Sequence, residues 1–160
     1  MKQQEILMKC LLDNWYSNIS RVDNLLDVLT DEQLQQEVAP SRNRGIYLLG
    51  HLAAVHSRLL PLLGFGEHLY PQLDEIFLTS PDKSRADLPP TADLRKYWRG
   101  ANEKLAAHFS TMQPDDWFQK HTSVSDEDFE KEPHRNKLNV LISRTNHLSY
   151  HFGQLIFLKK

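Results

Sequence analysis

The sequence is short of several things, and each shortage excludes a class of protein. Its 160 residues include a single cysteine, Cys10. That excludes an internal disulfide framework and any Cys-rich zinc module. Lys and Arg number 19 against 21 Asp and Glu, a net charge of −2, so no basic excess speaks for nucleic acid. Mean hydropathy is −0.54 and no long apolar run occurs, which argues against a membrane span. The opening MKQQEILMKC lacks the apolar core and small-residue cleavage site of a secretory signal. The expectation is a cytoplasmic protein with neither nucleic-acid nor membrane partners. Glycine is scarce at 6, and the alternating Val, Ile and Thr runs of strands are missing. Gly-rich phosphate loops, the Gly-x-Ser-x-Gly elbow and the paired Glu-x-x-His motifs of di-iron bundles are missing too. Histidine, at 8, is enriched and is the first hint of chemistry.

What is present is helical spacing. From Gln4 to Leu29, the residues Ile6, Leu7, Cys10, Leu11, Trp15, Ile19, Val22, Leu25, Leu26 and Leu29 recur at three- and four-residue steps, the stripe of an amphipathic helix. This places Cys10 on the apolar side as a core thiol. Thr30 then caps a short helix with an acidic first turn, which Pro40 ends. A second long helix runs from about Arg44 to Leu63, stopped by Gly64-Phe65-Gly66. Leu69 to Leu78 forms a turn or two, and Thr79 to Pro90 is a crossover loop. Thr91 caps a third long helix to about Met112. Gln113 to Phe118 repeats the polar-cap, acidic, apolar-anchor logic of Thr30 to Leu34, an internal pseudo-repeat. His121 to Pro133 reads as loop, and a last helix spans about His134 to Leu158. The expectation is one all-α domain over 1–160, a four-helix bundle with a long connection between its second and third helices.

His147 and His151 lie four apart on the last helix, so they project from one face. A helix offers two imidazoles to one metal ion by this spacing, and it equally describes a flanking pair on the surface. His51, beside Gly50, lies at the edge of the apolar arc of the second helix. A third imidazole from there would complete a three-His set with positions left open. His56 points nearer the middle of the same arc, the place of a buried, hydrogen-bonded histidine. Periodicity leaves His51 and His56 as alternatives for the inward residue. Gly50 is costly by roughly 1 kcal/mol in a helix interior, which suggests close approach of another segment. Arg42, Arg44 and Arg58, with Arg144 across from them, form a basic group that either receives an anionic substrate or makes ordinary surface pairs.

Two stretches carry a resemblance: Leu49-Gly50-His51-Leu52-Ala53 and His147-Leu148-Ser149-Tyr150-His151-Phe152-Gly153-Gln154. The chain resembles the DinB/YfiT-like superfamily, bacterial four-helix-bundle metalloproteins, over essentially its whole length. The resemblance implies one divalent metal, zinc or nickel, held by His51, His147 and His151, and so favours His51 over His56. It implies a small-molecule substrate and a homodimer. It also implies one of two activities: a thiol-dependent S-transferase using a low-molecular-weight thiol cosubstrate, or a metal-dependent hydrolase. A non-catalytic metal-binding or dimerising bundle of stress-response type is the competing class. Catalytic residues beyond the ligands are not assigned. An acceptor is expected behind each of these histidines; Trp15, Tyr16, Tyr97 and Trp98 are candidates for the pocket mouth, with core packing the expected job of most of these aromatics.

Overall fold

A computed structural model describes residues 3–159; Met1, Lys2 and Lys160, the ends of the expected 1–160 domain, lie outside the described residues. The chain is all-helical, and among the described residues no strand forms. Four long helices are present: α1 (Gln3–Val28), α3 (Gly45–Leu62), α4 (Thr91–Phe109) and α6 (Lys137–Leu155). Two short ones, α2 (Asp31–Leu34) and α5 (Asp126–Lys131), precede the second long helix of each half.

Local chemistry sets these boundaries. Thr30 Oγ1 accepts from the Gln33 amide at 3.1 Å while Gln33 Oε1 accepts from the Thr30 amide at 2.8 Å, a reciprocal cap on α2. Helix α3 closes as expected at Gly64, which takes φ 78°. The Phe65 amide returns to the Leu60 carbonyl at 2.8 Å and the Gly64 amide to Pro61 at 3.1 Å, the bond pair of a left-handed helix terminus. Pro61 falls in the last turn, where losing one amide donor is tolerated. Asn136 caps α6 by accepting from the Asn139 amide at 2.9 Å.

Several expectations are corrected. Thr91 is the first residue of α4, buried at 7% exposure, and Pro90 holds the cap position. Helix α2 ends at Leu34, well before Pro40. The stretch His121 to Pro133 contains α5, whose Ser125 Oγ accepts from the Asp128 amide at 3.1 Å, with three acidic residues in the first turn to complement the helix dipole. The last helix begins at Lys137, so His134 lies outside it. Cys10 is exposed, not a core thiol. Ile6 and Leu7 are also largely exposed, so the first turns of α1 bury less than their spacing suggests.

The four long helices pack in a ring. Helix α4 meets α1 through Trp98 Nε1, which donates to Asp23 Oδ1 at 2.7 Å, and through Arg99 and Asp27 at 2.8 Å. Helix α3 packs on both α4 and α6, and α6 packs on α1. Trp15, Trp98 and Trp117 are essentially buried. Each removes about 150–250 Å² from water, worth roughly 4–6 kcal/mol.

The pseudo-repeat is visible in the backbone. In the first half the Gly45 amide, opening α3, donates to Gln36 at 3.1 Å; in the second the Lys137 amide, opening α6, donates to Gln119 at 3.0 Å. Matching isolated bridges, Glu37 to Arg44 and Lys120 to Asn136, sit beside these bonds. Helices α3 and α6 are therefore launched in the same way, and they are the helices that carry His51, His147 and His151.

Candidate metal centre

His51 comes from α3, and His147 and His151 come from α6, one turn apart. Their ligand atoms all lie within 4.8 Å of one another. His147 Nε2 stands in the middle, 3.1 Å from His51 Nε2 and 3.1 Å from His151 Nε2. Two nitrogens bound to one zinc-like ion at 2.0–2.1 Å, and separated by a right or tetrahedral angle, stand about 2.9–3.4 Å apart. The two spacings around His147 fit such an ion.

The outer nitrogens explain why the inner ones converge. His51 Nδ1 donates to the Phe77 carbonyl at 2.9 Å, and His151 Nδ1 donates to Gln154 Oε1 at 2.7 Å. A proton on each Nδ1 leaves each Nε2 as a bare lone pair, the tautomer a metal requires. Two lone pairs then face His147, which has one proton to offer and two neighbours to satisfy. Its own Nδ1 is buried with no hydrogen-bond partner. A cation among the three Nε2 atoms relieves that crowding of lone pairs.

Burial keeps all three imidazoles neutral. It lowers the pKa of His51 and of His151, although the bonds to Phe77 and Gln154 pull the other way. His147 is pushed down to about 3 by burial first, then by charge on its His151, His51 and Arg144 neighbours. Neutral imidazole is the ligand form, so the group is ready for a metal near pH 7 without releasing protons.

Gly50 is what lets the Phe77 segment reach His51. A Cβ at Gly50 would overlap the Phe77 ring, which is fully buried. The close approach expected at Gly50 is therefore real, and its partner is an aromatic ring. Phe77 belongs to a π-helical turn, Glu75–Thr79, a geometry that recurs near functional sites. Tyr47 Oη donates to the Ser80 carbonyl at 2.7 Å and ties the end of this turn to α3. The Tyr47 ring lies parallel to His51 with centroids 6.5 Å apart. Gly153, by contrast, has nothing near its Cα to exclude a side chain.

His56 stays out of the group. It is fully buried, and its Nδ1 donates to Asn102 Oδ1 at 2.7 Å. Its ring lies between Trp15 at 5.0 Å and Trp98 at 4.8 Å, and burial pushes its pKa down to about 4. The helical wheel's inward residue is thus a structural histidine, while the edge residue His51 meets α6. None of the other four histidines joins the group: His108 stacks on Phe65 at 4.6 Å and His68 lies 3.5 Å from Asp74.

Packing, the role expected of most of the four aromatics near the mouth, is what the structure shows. Trp15 and Trp98 are core, Tyr97 packs on Tyr70, and Tyr16 lines a separate cavity between α1 and α4. Of the basic group, Arg44 grips Asp82 with two bonds of 2.7 and 3.1 Å, and Arg58 pairs with Asp74 at 2.9 Å. Sequence reasoning left the acceptors behind the ligands unassigned. Gln154 was detectable, three residues beyond His151 on the same helix. The Phe77 carbonyl was not, because a backbone acceptor leaves no residue-type signal.

No curated protein matches the chain. The model for the DinB superfamily matches residues 14–155; with its helical fold and its group of three histidines able to hold a metal, the chain belongs to the DinB superfamily.

Proposed function

We propose that His51, His147 and His151 hold one divalent metal ion, zinc or nickel, in an enzyme that joins a low-molecular-weight thiol to an electrophilic small molecule. The observation that carries the reading is the convergence of three neutral Nε2 atoms, two of them with their Nδ1 protons committed elsewhere. Borderline-soft ions suit an all-imidazole donor set. Such an ion, when bound, supplies Lewis acidity that lowers the pKa of a thiol or water placed against it.

The chain's own residues then orient and desolvate. Phe77 and Gln154 fix the ring planes of His51 and His151, and burial excludes competing water. The thiol comes from a cosubstrate, since Cys10 is an exposed residue of α1 and no other cysteine exists. Support for a transferase comes from likeness to the superfamily, as does support for a homodimer and a cytoplasmic setting. Hydrolysis at the same centre is the alternative chemistry. Among the described residues no helix is long and apolar enough to cross a membrane.

Two measurements test this. Purified protein is assayed for bound metal and titrated with zinc and nickel against a chelating indicator. The stoichiometry expected is one ion per chain, lost in His147→Ala. Turnover of monochlorobimane is then followed with bacillithiol, mycothiol and glutathione. Metal-dependent product with one of the thiols supports the transferase; no product with any of them overturns it. Unaltered metal binding in the three single His→Ala variants overturns the metal site.

A further inference from the structure

Between the C-terminal half of α3, the Thr122 loop and Arg144 of α6 lies a cavity of about 460 Å³ lined by Arg58, Pro61, Leu62, His68, Thr122 and Arg144 among others. Arg144 is on α6, three residues before His147, so the two side chains neighbour each other on that helix. It is half-buried and forms no hydrogen bond or ion pair with any described residue. Its pKa is lowered by burial alone. The other guanidinium on the cavity, Arg58, is already neutralised by Asp74, which also approaches His68 at 3.5 Å. No acidic side chain lines the cavity itself.

A half-buried guanidinium with no partner in the protein is satisfied by water at the cavity, and an anion can take that water's place. Arg144 also acts electrostatically on His51 and His147, where a divalent cation would add like charge. The remaining positive charge of the cavity is one, and its other walls, Pro61 and Leu62, are apolar. We propose that Arg144 is the subsite for the carboxylate of a small substrate with an apolar body, held in the cavity so that its reactive end faces the three imidazoles. A guanidinium receives a carboxylate with two parallel bonds. A phosphate dianion would leave one charge uncompensated. The role in catalysis rests on the metal-site reading; the binding of the anion does not.

The test uses the metal-free full chain, labelled with 15N, and follows the Arg144 Nε–H signal with the Leu62 and Thr122 amides. Benzoate, phenyl phosphate and benzyl alcohol serve as probes. Saturable shifts with benzoate and none with benzyl alcohol are expected. Arg144→Gln is expected to weaken benzoate binding by about 10-fold or more, the scale of a lost charge-assisted pair. Arg144→Lys, which keeps the charge, is expected to fall between, and Arg99→Gln at the α1–α4 contact to leave binding unchanged. Equal shifts with benzyl alcohol, or benzoate affinity unaltered in a folded Arg144→Gln, overturn the subsite. Tighter binding of phenyl phosphate than of benzoate overturns the carboxylate assignment. Benzoate binding in a protein that takes up no zinc sinks the metal reading and leaves the anion site standing, so the two failures are distinguishable.

Discussion

His56 and His147 are both withdrawn from water, and both have pKa values pushed far below a free histidine, to about 4 and about 3. Their surroundings differ in kind. His56 lies between two indole rings and gives its one proton to Asn102, whose own amide is held by the Trp98 carbonyl at 2.9 Å. His147 stands between two other imidazoles that both turn lone pairs toward it. The difference teaches that burial and a depressed pKa do not by themselves mark a candidate ligand. What marks it is the direction in which the neighbours' protons have been sent. Around His51 and His151 they are sent outward, to a carbonyl and an amide oxygen, so that two lone pairs face the single proton His147 can offer.

This contrast is open to attack from both sides. The largest effect is expected for His147→Ala, which removes the central donor and should weaken zinc binding by more than about 10³-fold, roughly 4 kcal/mol. Competitive titration measures it, and thermal stability of the metal-free protein should barely change. His56→Ala should do the reverse. Emptying the space between Trp15 and Trp98 should lower unfolding free energy by about 3 kcal/mol in denaturant titration, with zinc affinity intact. A His56→Ala variant that loses zinc while staying folded would erase the distinction. Next in size, Gln154→Leu should reduce zinc affinity by about 10- to 100-fold, as loss of an orienting acceptor does elsewhere, without changing stability by more than about 1 kcal/mol.

The smallest and most discriminating effect is in pH. The folded pKa of His56, about 4, lies below that of the unfolded chain, near 6.5. Between those values the unfolded state binds the extra proton, so the stability held above pH 6.5 is lost as pH falls toward 4. A single such group steepens the curve by at most roughly 1.4 kcal/mol per pH unit. In metal-free protein His56→Phe should flatten part of that slope, and His147→Phe should flatten another part. Zinc should leave both parts in place, since a bound cation holds His147 neutral in the folded state, as burial already does, and leaves the proton uptake of the unfolded chain unchanged. A slope unchanged in His56→Phe would remove its buried proton balance from the account.

Much of this was readable from spacing. The long helices follow from three- and four-residue apolar steps, and the pairing of His147 with His151 follows from one helical turn. Position around a helix axis is a matter of periodicity, but where along the axis a neighbour stops is not. That is why Cys10, Ile6 and Leu7 were placed in the core. The choice between His51 and His56 failed on the wheel for a related reason. A site shared by two helices forms where their stripes meet, at the edge of each, so the most inward residue is the wrong one to choose. Helix α5 was legible and passed over, since Ser125-Asp126-Glu127-Asp128 has the same cap-and-acid pattern as Thr30-Asp31-Glu32.

The Phe77 carbonyl has a consequence that concerns length rather than identity. It is delivered to His51 by a segment pinned at two points of α3, where Ser57 Oγ receives the Tyr70 amide at 2.9 Å and Tyr47 reaches Ser80. Between those pins the number of residues is a mechanical dimension of the three-histidine group. A deletion or insertion there would rotate the carbonyl off His51 while leaving all three histidines in place.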